Sequence, residues 1–370
     1  MVRVLHMINS LIYGGSQAFV MNVYRNIDKS KIQFDFVVCD NQETEYYNEI
    51  RQLGGIIHKI PAFNGKNTVS IIKAWDELFT ENPEYHILHS HVRSYASLYI
   101  PIAKKHGVKT IVHSHSISNG KSIKSIAKRV LQFPLRYQAD YMFACSREAG
   151  MWLFGRKAVS GKNYFTIKNG IDLQKYRYND EIRKEYRKRL KVDSKTVFIQ
   201  VGRLTEAKNH IFSLSIIREL KKINEGIELI IVGEGEERDN IERIIDEYAI
   251  RKYVRLLGAR NDIAELLQAA DCMLFPSLWE GFGMVAIEAQ SAGVVTLCSD
   301  KIPDSVVITD RCKRLPLDVE GWINTVRHLR YNDNTEARLN CLDDVRLSGF
   351  DIKESAIWLE EFYLEMQKAK

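Results

Sequence analysis

At 370 residues, 45% hydrophobic and 27% charged, the chain can bury two substantial cores and is not a disordered protein. Six cysteines stand singly with no Cys-x-x-Cys pair, which excludes a disulfide-built scaffold and points to a reducing, cytoplasmic compartment. No run is long and apolar enough to span a bilayer, and His6, Asn9 and the Gly14-Gly15 pair break the first apolar stretch too early for a signal peptide.

Residues 2–8 read as a strand, followed by Tyr13-Gly14-Gly15-Ser16 and then by Val20, Val23, Tyr24 and Ile27 at helical spacing. Farther on, His89-Ser90-His91 and His113-Ser114-His115 end two strand-like runs. Alternation places both imidazoles of each triplet on one face, so a zinc site has to be weighed. No acid lies between or beside these histidines, and Cys39 and Cys145 are not spaced as ligands; the expectation is that they hold no metal.

Residues 85–139 contain no acid, yet carry Arg93, Lys104, Lys105, Lys109, Lys121, Lys124, Lys128, Arg129 and Arg136. Within that stretch Ile123, Ile126, Ala127, Val130 and Leu131 recur at helical spacing. Such a basic amphipathic helix either faces the core or rests on an anionic membrane through residues 121–136. Residues 1–180 hold 24 Lys+Arg against 14 Asp+Glu, and the remainder 29 against 33, so the basic first part should meet an anionic partner. A turn signal at Lys168-Asn169-Gly170-Ile171-Asp172 marks a boundary, with 173–180 as linker.

The second part repeats one pattern. Run 197–201 leads into Gly202-Arg203 and Lys208, run 229–232 into Gly233-Glu234-Gly235, and run 254–257 into Gly258-Ala259-Arg260. The strand-like run 271–277 is closed by Pro276 and leads through Glu280-Gly281-Phe282-Gly283 into a predicted amphipathic helix, Met284–Ser291, that carries Glu288. Ligands of open α/β sheets bind beyond the carboxyl ends of strands, where these tips fall. Free N–H groups at the helix start form an anion site, and two acids beside it can hold sugar hydroxyls. A cation near a helix start opposes the helix dipole, which argues for a ligand role for Arg203 and Lys208. Gly233-Glu234-Gly235 is not a dinucleotide fingerprint, because Arg238 stands where the third glycine belongs.

These motifs, in this order and over nearly the whole chain, resemble the family 4 glycosyltransferases, above all bacterial exopolysaccharide and capsule enzymes. The resemblance implies a GT-B fold, with two Rossmann-like domains of mostly parallel strands facing across a cleft. It implies retaining transfer of a hexose from a nucleoside diphosphate sugar to a lipid-linked or oligosaccharide acceptor, with no cofactor, no metal and no nucleic acid. Glu288 would accept from the ribose hydroxyls, and Glu280 would lie near the donor sugar. Gly14, Gly15, Gly281 and the backbone N–H groups of Phe282, Gly283, Met284 and Val285 would approach the donor. Arg203 and Lys208 would neutralise the leaving diphosphate, and His115 would help organise the reacting centre. Arg260, the cation at its βα tip, joins the donor-binding set. Asp-x-Asp, the metal-holding motif of GT-A enzymes, does not occur in the chain.

Gln17, the stretch Gly293-Val294-Val295-Thr296, and Ile302-Pro303-Asp304-Ser305 depart from the family pattern. The expected division is an acceptor-side domain over 1–172, the linker, a nucleotide-sugar domain over 181–350, and a helix over 351–370 packing back toward the first domain. A nucleotide-sugar epimerase of the same fold and an inactive nucleotide-sugar-binding subunit remain as alternatives. The protein is expected in the cytoplasm, or peripherally on the inner face of the plasma membrane.

Overall fold

The structure, a computed structural model, describes residues 1–12, 14–40, 42–115, 123–280, 282–329 and 335–368. The chain divides into two compact units: Met1–Ile171 with Phe350–Lys370, and Asp172–Gly349.

Unit 1 is a parallel sheet of β1 (Val2–Met7), β2 (Ile32–Val38), β3 (Ile57–Lys59), β4 (Ile87–Ser90), β5 (Lys109–Ser114), β6 (Tyr141–Ala144) and β7 (Tyr164–Thr166), in the order β3-β2-β1-β4-β5-β6-β7. Helices cover both faces, so β2 is buried along its full length and its sequence, IQFDFVV, is a nearly continuous apolar run. Its one acid, Asp35, is held by the Arg3 guanidinium through contacts of 2.6 Å and by Tyr85 Oη at 2.9 Å. The terminal helix Ile352–Lys368 buries Ile352, Ala356, Leu359, Tyr363 and Met366, one stripe at helical spacing, in the same core as Phe34, Phe36 and Phe143. Its chain enters through a parallel bridge between Ile171 and Asp351. A Cβ on Gly170 would lie 2.8 Å from the backbone of Ile352, so that crossing requires glycine.

Unit 2 is a parallel sheet of β8 (Thr196–Val201), β9 (Ile227–Val232), β10 (Val254–Leu256), β11 (Cys272–Phe275), β12 (Val295–Ser299) and β13 (Cys312–Leu315), in the order β10-β9-β8-β11-β12-β13. Both sheets therefore begin in the middle, build outward on one side and then cross to the other. The reversal falls between β1 and β4 in unit 1 and between β8 and β11 in unit 2. These are the switch points where the Rossmann topology leaves a crevice for a ligand. The stretch 173–180, expected as a linker, folds within unit 2: it contains the helix Leu173–Tyr176, with Leu173 and Tyr176 buried, and Asn179, which caps the helix Asp180–Leu190.

Among the described residues, no helix is long and apolar enough to cross a membrane.

Candidate functional site

The loops after β8 and β11 meet at the unit 2 switch point. Leu278 N donates to Ala207 O at 2.8 Å, and Asn209 Nδ2 to Pro276 O at 3.2 Å, which fixes one loop on the other. Glycines make the approach possible: a Cβ on Gly233 would strike the carbonyl of Gly202, and one on Gly235 the carbonyl of Leu204. The Gly233-Glu234-Gly235 tip thus serves close packing of two loops.

Across this junction Lys208 Nζ donates to Glu280 Oε1, and Ser277 Oγ donates to the same oxygen at 2.7 Å. Lys208 also lies over the Phe275 ring, 5.2 Å from its centroid. Its ammonium has three donors, so a phosphate oxygen can be held without releasing Glu280. Gln200 Nε2 donates to Lys208 O at 2.8 Å, and beneath the loop buried His210 is held neutral, its pKa pushed down to about 4 by burial and by Lys208. Arg203 is exposed and has no side-chain partner among the described residues.

Gly283, at φ +91°, turns the chain into the helix Met284–Ser291 and offers no side-chain cap. The first N–H groups of that helix, at Met284 and Val285, keep donor capacity at the site. Contrary to the amphipathic expectation, the helix buries Ala286, Ile287, Ala289, Gln290 and Ser291, nearly all round. Gln290 is tolerated because it donates to Ala286 O and Val306 O and accepts from Ile308 N and Thr309 N. Glu288 points instead to Tyr176. Burial raises its carboxyl to about 6, and the Tyr176 hydroxyl bond opposes that rise.

The structure thus brings Lys208, Glu280 and the start of the Met284–Ser291 helix together, with buried Phe282 in the turn. Gly281 lies outside the described residues. Arg260 stands apart, in the loop after edge strand β10, two strands or about 10 Å from β8. Its guanidinium is paired with Asp262, whose carboxylate also accepts from Tyr186. Sequence reasoning missed Ser277, which reaches Glu280 three residues on, and Tyr176, whose contact with Glu288 is distant in sequence.

Gly14, Gly15 and His115 belong to unit 1. Gly14 caps the helix Gly15–Asn26 in an extended conformation, and Gln17 is occupied by a 2.9 Å bond to Ser10 O. His115 follows β5 and is neutral: burial lowers its pKa to about 4. Both its ring nitrogens are engaged, Nε2 with His91 Nδ1 at 2.7 Å and Nδ1 with Asn169 Oδ1 at 3.3 Å. It can address a substrate through nitrogen only by releasing one of them.

Comparison with known proteins adds the chemistry. The pattern of "Glycosyltransferase Family 4" matches residues 13–175, and that of "Glycosyl transferases group 1" matches residues 181–324. A putative glycosyltransferase, EpsF, of Bacillus subtilis is 30% identical over 88% of this chain and 86% of its own length. An Escherichia coli galactosyltransferase named for a GlcNAc-diphosphoundecaprenol acceptor is 26% identical over 80% of this chain and 81% of its own. Among solved structures, Anabaena HepE in complex with UDP and glucose superposes with a TM-score of 0.79 at 16% identity, over 99% of this chain and 100% of that one. WaaG, a glycosyltransferase of lipopolysaccharide biosynthesis, does so with 0.71 at 15%, over 97% and 99%. The chain is a transferase and belongs to the family 4 glycosyltransferases, on the GT-B fold.

Proposed function

We propose that this enzyme moves a hexose from a nucleoside diphosphate sugar to a hydroxyl of a lipid-linked or oligosaccharide acceptor, with retention, in bacterial exopolysaccharide or capsule synthesis. The observation that carries the reading is the junction of the β8 and β11 loops, where Lys208, Glu280 and an uncapped helix start converge at a switch point. A diphosphate placed there meets an ammonium, the free Arg203 guanidinium and helix N–H groups, which can neutralise the leaving group without a divalent ion. Glu288 is the acceptor for ribose hydroxyls. No enzyme nucleophile is needed when the departing diphosphate oxygen takes the acceptor's proton on the same face. The donor class draws support from the UDP-glucose bound to HepE, and the acceptor class from the diphosphoundecaprenol in the galactosyltransferase's name.

A membrane-facing acceptor also suits the surface of unit 1. Along the helix Ile123–Gln132 and beyond it, Ile126, Val130, Phe133 and Tyr137 are 51%, 67%, 53% and 75% exposed. That stripe does not face the core, and Lys128, Arg129 and Arg136 accompany it, with Arg136 4.3 Å over the Phe133 ring. Lys121 lies outside the described residues. Aromatic and apolar side chains among cations suit the headgroup boundary of an anionic leaflet, and we propose a cytoplasmic, peripherally bound enzyme.

The test is incubation with UDP-, GDP- and ADP-sugars and a polyprenyl-diphosphate glycan, with product analysis. Sugar on the acceptor is expected. Isomerised free sugar nucleotide would establish an epimerase, and binding without turnover a partner subunit.

A further inference from the structure

The register of unit 1 gathers five histidines at the carboxyl ends of β1, β4 and β5. His6 stands opposite His89 on β4, and β4 pairs with β5 with His89 opposite Ile111, so the His-Ser-His triplet of β5 is offset by two residues from that of β4. Period-2 alternation directs His89, His91, His113 and His115 to the same face as His6. The rings stack, with centroids 4.3 Å apart for His89 and His91 and 4.0 Å for His113 and His115. Ring nitrogens meet at 3.0 Å between His6 and His91, 2.7 Å between His91 and His115, and 3.2 Å between His89 and His113. Two sets of three, His6-His89-His91 and His91-His113-His115, can each offer ligand atoms that all lie within 4.8 Å of one another.

Hydrogen bonding alone leaves this cluster incomplete. Nε2 of His6 and Nε2 of His113 are buried with no partner among the described residues. An orphaned polar atom in a core keeps its desolvation penalty, so it calls for a group to complete it. The outer nitrogens are arranged differently. His115 Nδ1 faces Asn169 Oδ1, and His89 Nδ1 faces Tyr363 Oη at 2.6 Å. Each such contact anchors one nitrogen and turns Nε2 inward, which is how outer partners orient metal-binding imidazoles.

We propose that this cluster is a binding site for one divalent transition ion with imidazole ligands, zinc foremost, centred on His91, which both sets of three share. Zn–N bonds of about 2.0–2.1 Å at tetrahedral angles place ligand nitrogens about 3.4 Å apart. His91 uses Nε2 toward His6 and Nδ1 toward His115, so the ion takes one of these nitrogens, and the rings of its set, whose ligand atoms lie within 4.8 Å of one another, turn to reach that spacing. An all-nitrogen set favours zinc, copper or nickel over magnesium or calcium, which prefer oxygen. With no carboxylate in the set the ion keeps its charge, and a water or hydroxide completes the shell. His91 and His115 are partly exposed while His6, His89 and His113 are buried, so the ion enters from the carboxyl edge of the sheet. The site lies in unit 1, on residues other than those proposed to hold the diphosphate. The expectation of no metal weighed the two triplets with Cys39, Cys145 and the lack of neighbouring acids, without His6 or the orphaned nitrogens.

The test uses untagged, chelator-treated protein titrated with Zn²⁺ and with Co²⁺. One equivalent of Zn²⁺ should bind and raise Tm, Co²⁺ should give the visible absorption of a low-symmetry nitrogen site, and X-ray absorption of the zinc form should count at least three imidazoles. His91→Gln should abolish the one-equivalent step, and the milder Tyr363→Phe, which removes an outer partner, should weaken it about 10–100-fold. The control His328→Gln, in unit 2, should bind as wild type does. Absence of a one-equivalent step in the wild type, an oxygen-dominated shell, or undiminished binding by a folded His91→Gln protein would overturn the proposal.

Discussion

The carboxyl ends of β1, β4 and β5 and those of β8 and β11 occupy matching places in matching topologies, yet they carry opposite chemistry. In unit 1 these ends hold uncharged, stacked imidazoles packed against Phe19, Phe143 and Tyr363. In unit 2 they hold a lysine-glutamate pair, a free arginine and an uncapped helix start open to solvent. The comparison teaches that the backbone decides where a site can be and the residues just beyond each strand decide what it does. Unit 1 lines its switch point with neutral ring nitrogens, whereas unit 2 leaves charge available for a ligand.

Substitution in the two places should therefore break different properties. Arg203→Ala or Lys208→Ala should lower turnover about 10²–10³-fold, as for loss of one preorganised group facing developing charge. Arg203→Ala should leave stability within roughly 0.5 kcal/mol, since the side chain is exposed and unpaired; single-turnover kinetics beside denaturant unfolding read both quantities. His89→Ala should do the reverse. It empties a buried site and strips Tyr363 Oη of its partner, at a cost of roughly 2–4 kcal/mol in unfolding free energy. A His89→Ala protein as stable as wild type would show that the cluster is not a packed element.

Glu288→Ala should weaken nucleoside diphosphate binding by roughly 1–3 kcal/mol. Its pH dependence sharpens the point. With the carboxyl raised to about 6, protonation should weaken binding as pH falls from 7 to 5, and Glu288→Gln should flatten that profile. The stability effect has the opposite sign. A carboxyl raised above its ordinary 4.5 contributes fully below that value, and the contribution is lost as pH rises through about 6. A wild-type affinity that is flat from pH 5 to 7 would remove Glu288 from the ribose.

The smallest expected effect concerns the membrane. Lys128 and Arg129 should each contribute about 1 kcal/mol of attraction to an anionic leaflet, screened by salt. Changing both to Gln should reduce co-sedimentation with anionic vesicles at low salt, and equal pelleting of both proteins would dismiss the idea.

What was legible in the sequence was local. Gly283 and the Met284–Ser291 helix could be read from a turn signal and apolar spacing, and the parallel strands from runs ending in glycine or a cation. Pairing of Lys208 with Glu280 was not, because it joins positions 72 apart through the adjacency of β8 and β11. His6 reads as one histidine in an apolar strand until β1 is placed beside β4. Periodicity marked the helix at 123–132 as two-sided, but only packing shows that Ile126 and Val130 face outward. Arg260 had a warning in its own neighbourhood, since Asp262 two residues on is close enough to take its charge.

The central claim, that unit 2 binds the nucleoside diphosphate at its switch point, is tested most directly by calorimetric titration of UDP, GDP and ADP into wild type, Glu288→Ala and His115→Ala. At least one nucleotide should bind the wild type. It should bind Glu288→Ala about 5–150-fold more weakly, the same 1–3 kcal/mol expressed as a ratio, and His115→Ala with nearly unchanged affinity. Full affinity in Glu288→Ala, or its loss in a folded His115→Ala, would contradict the account.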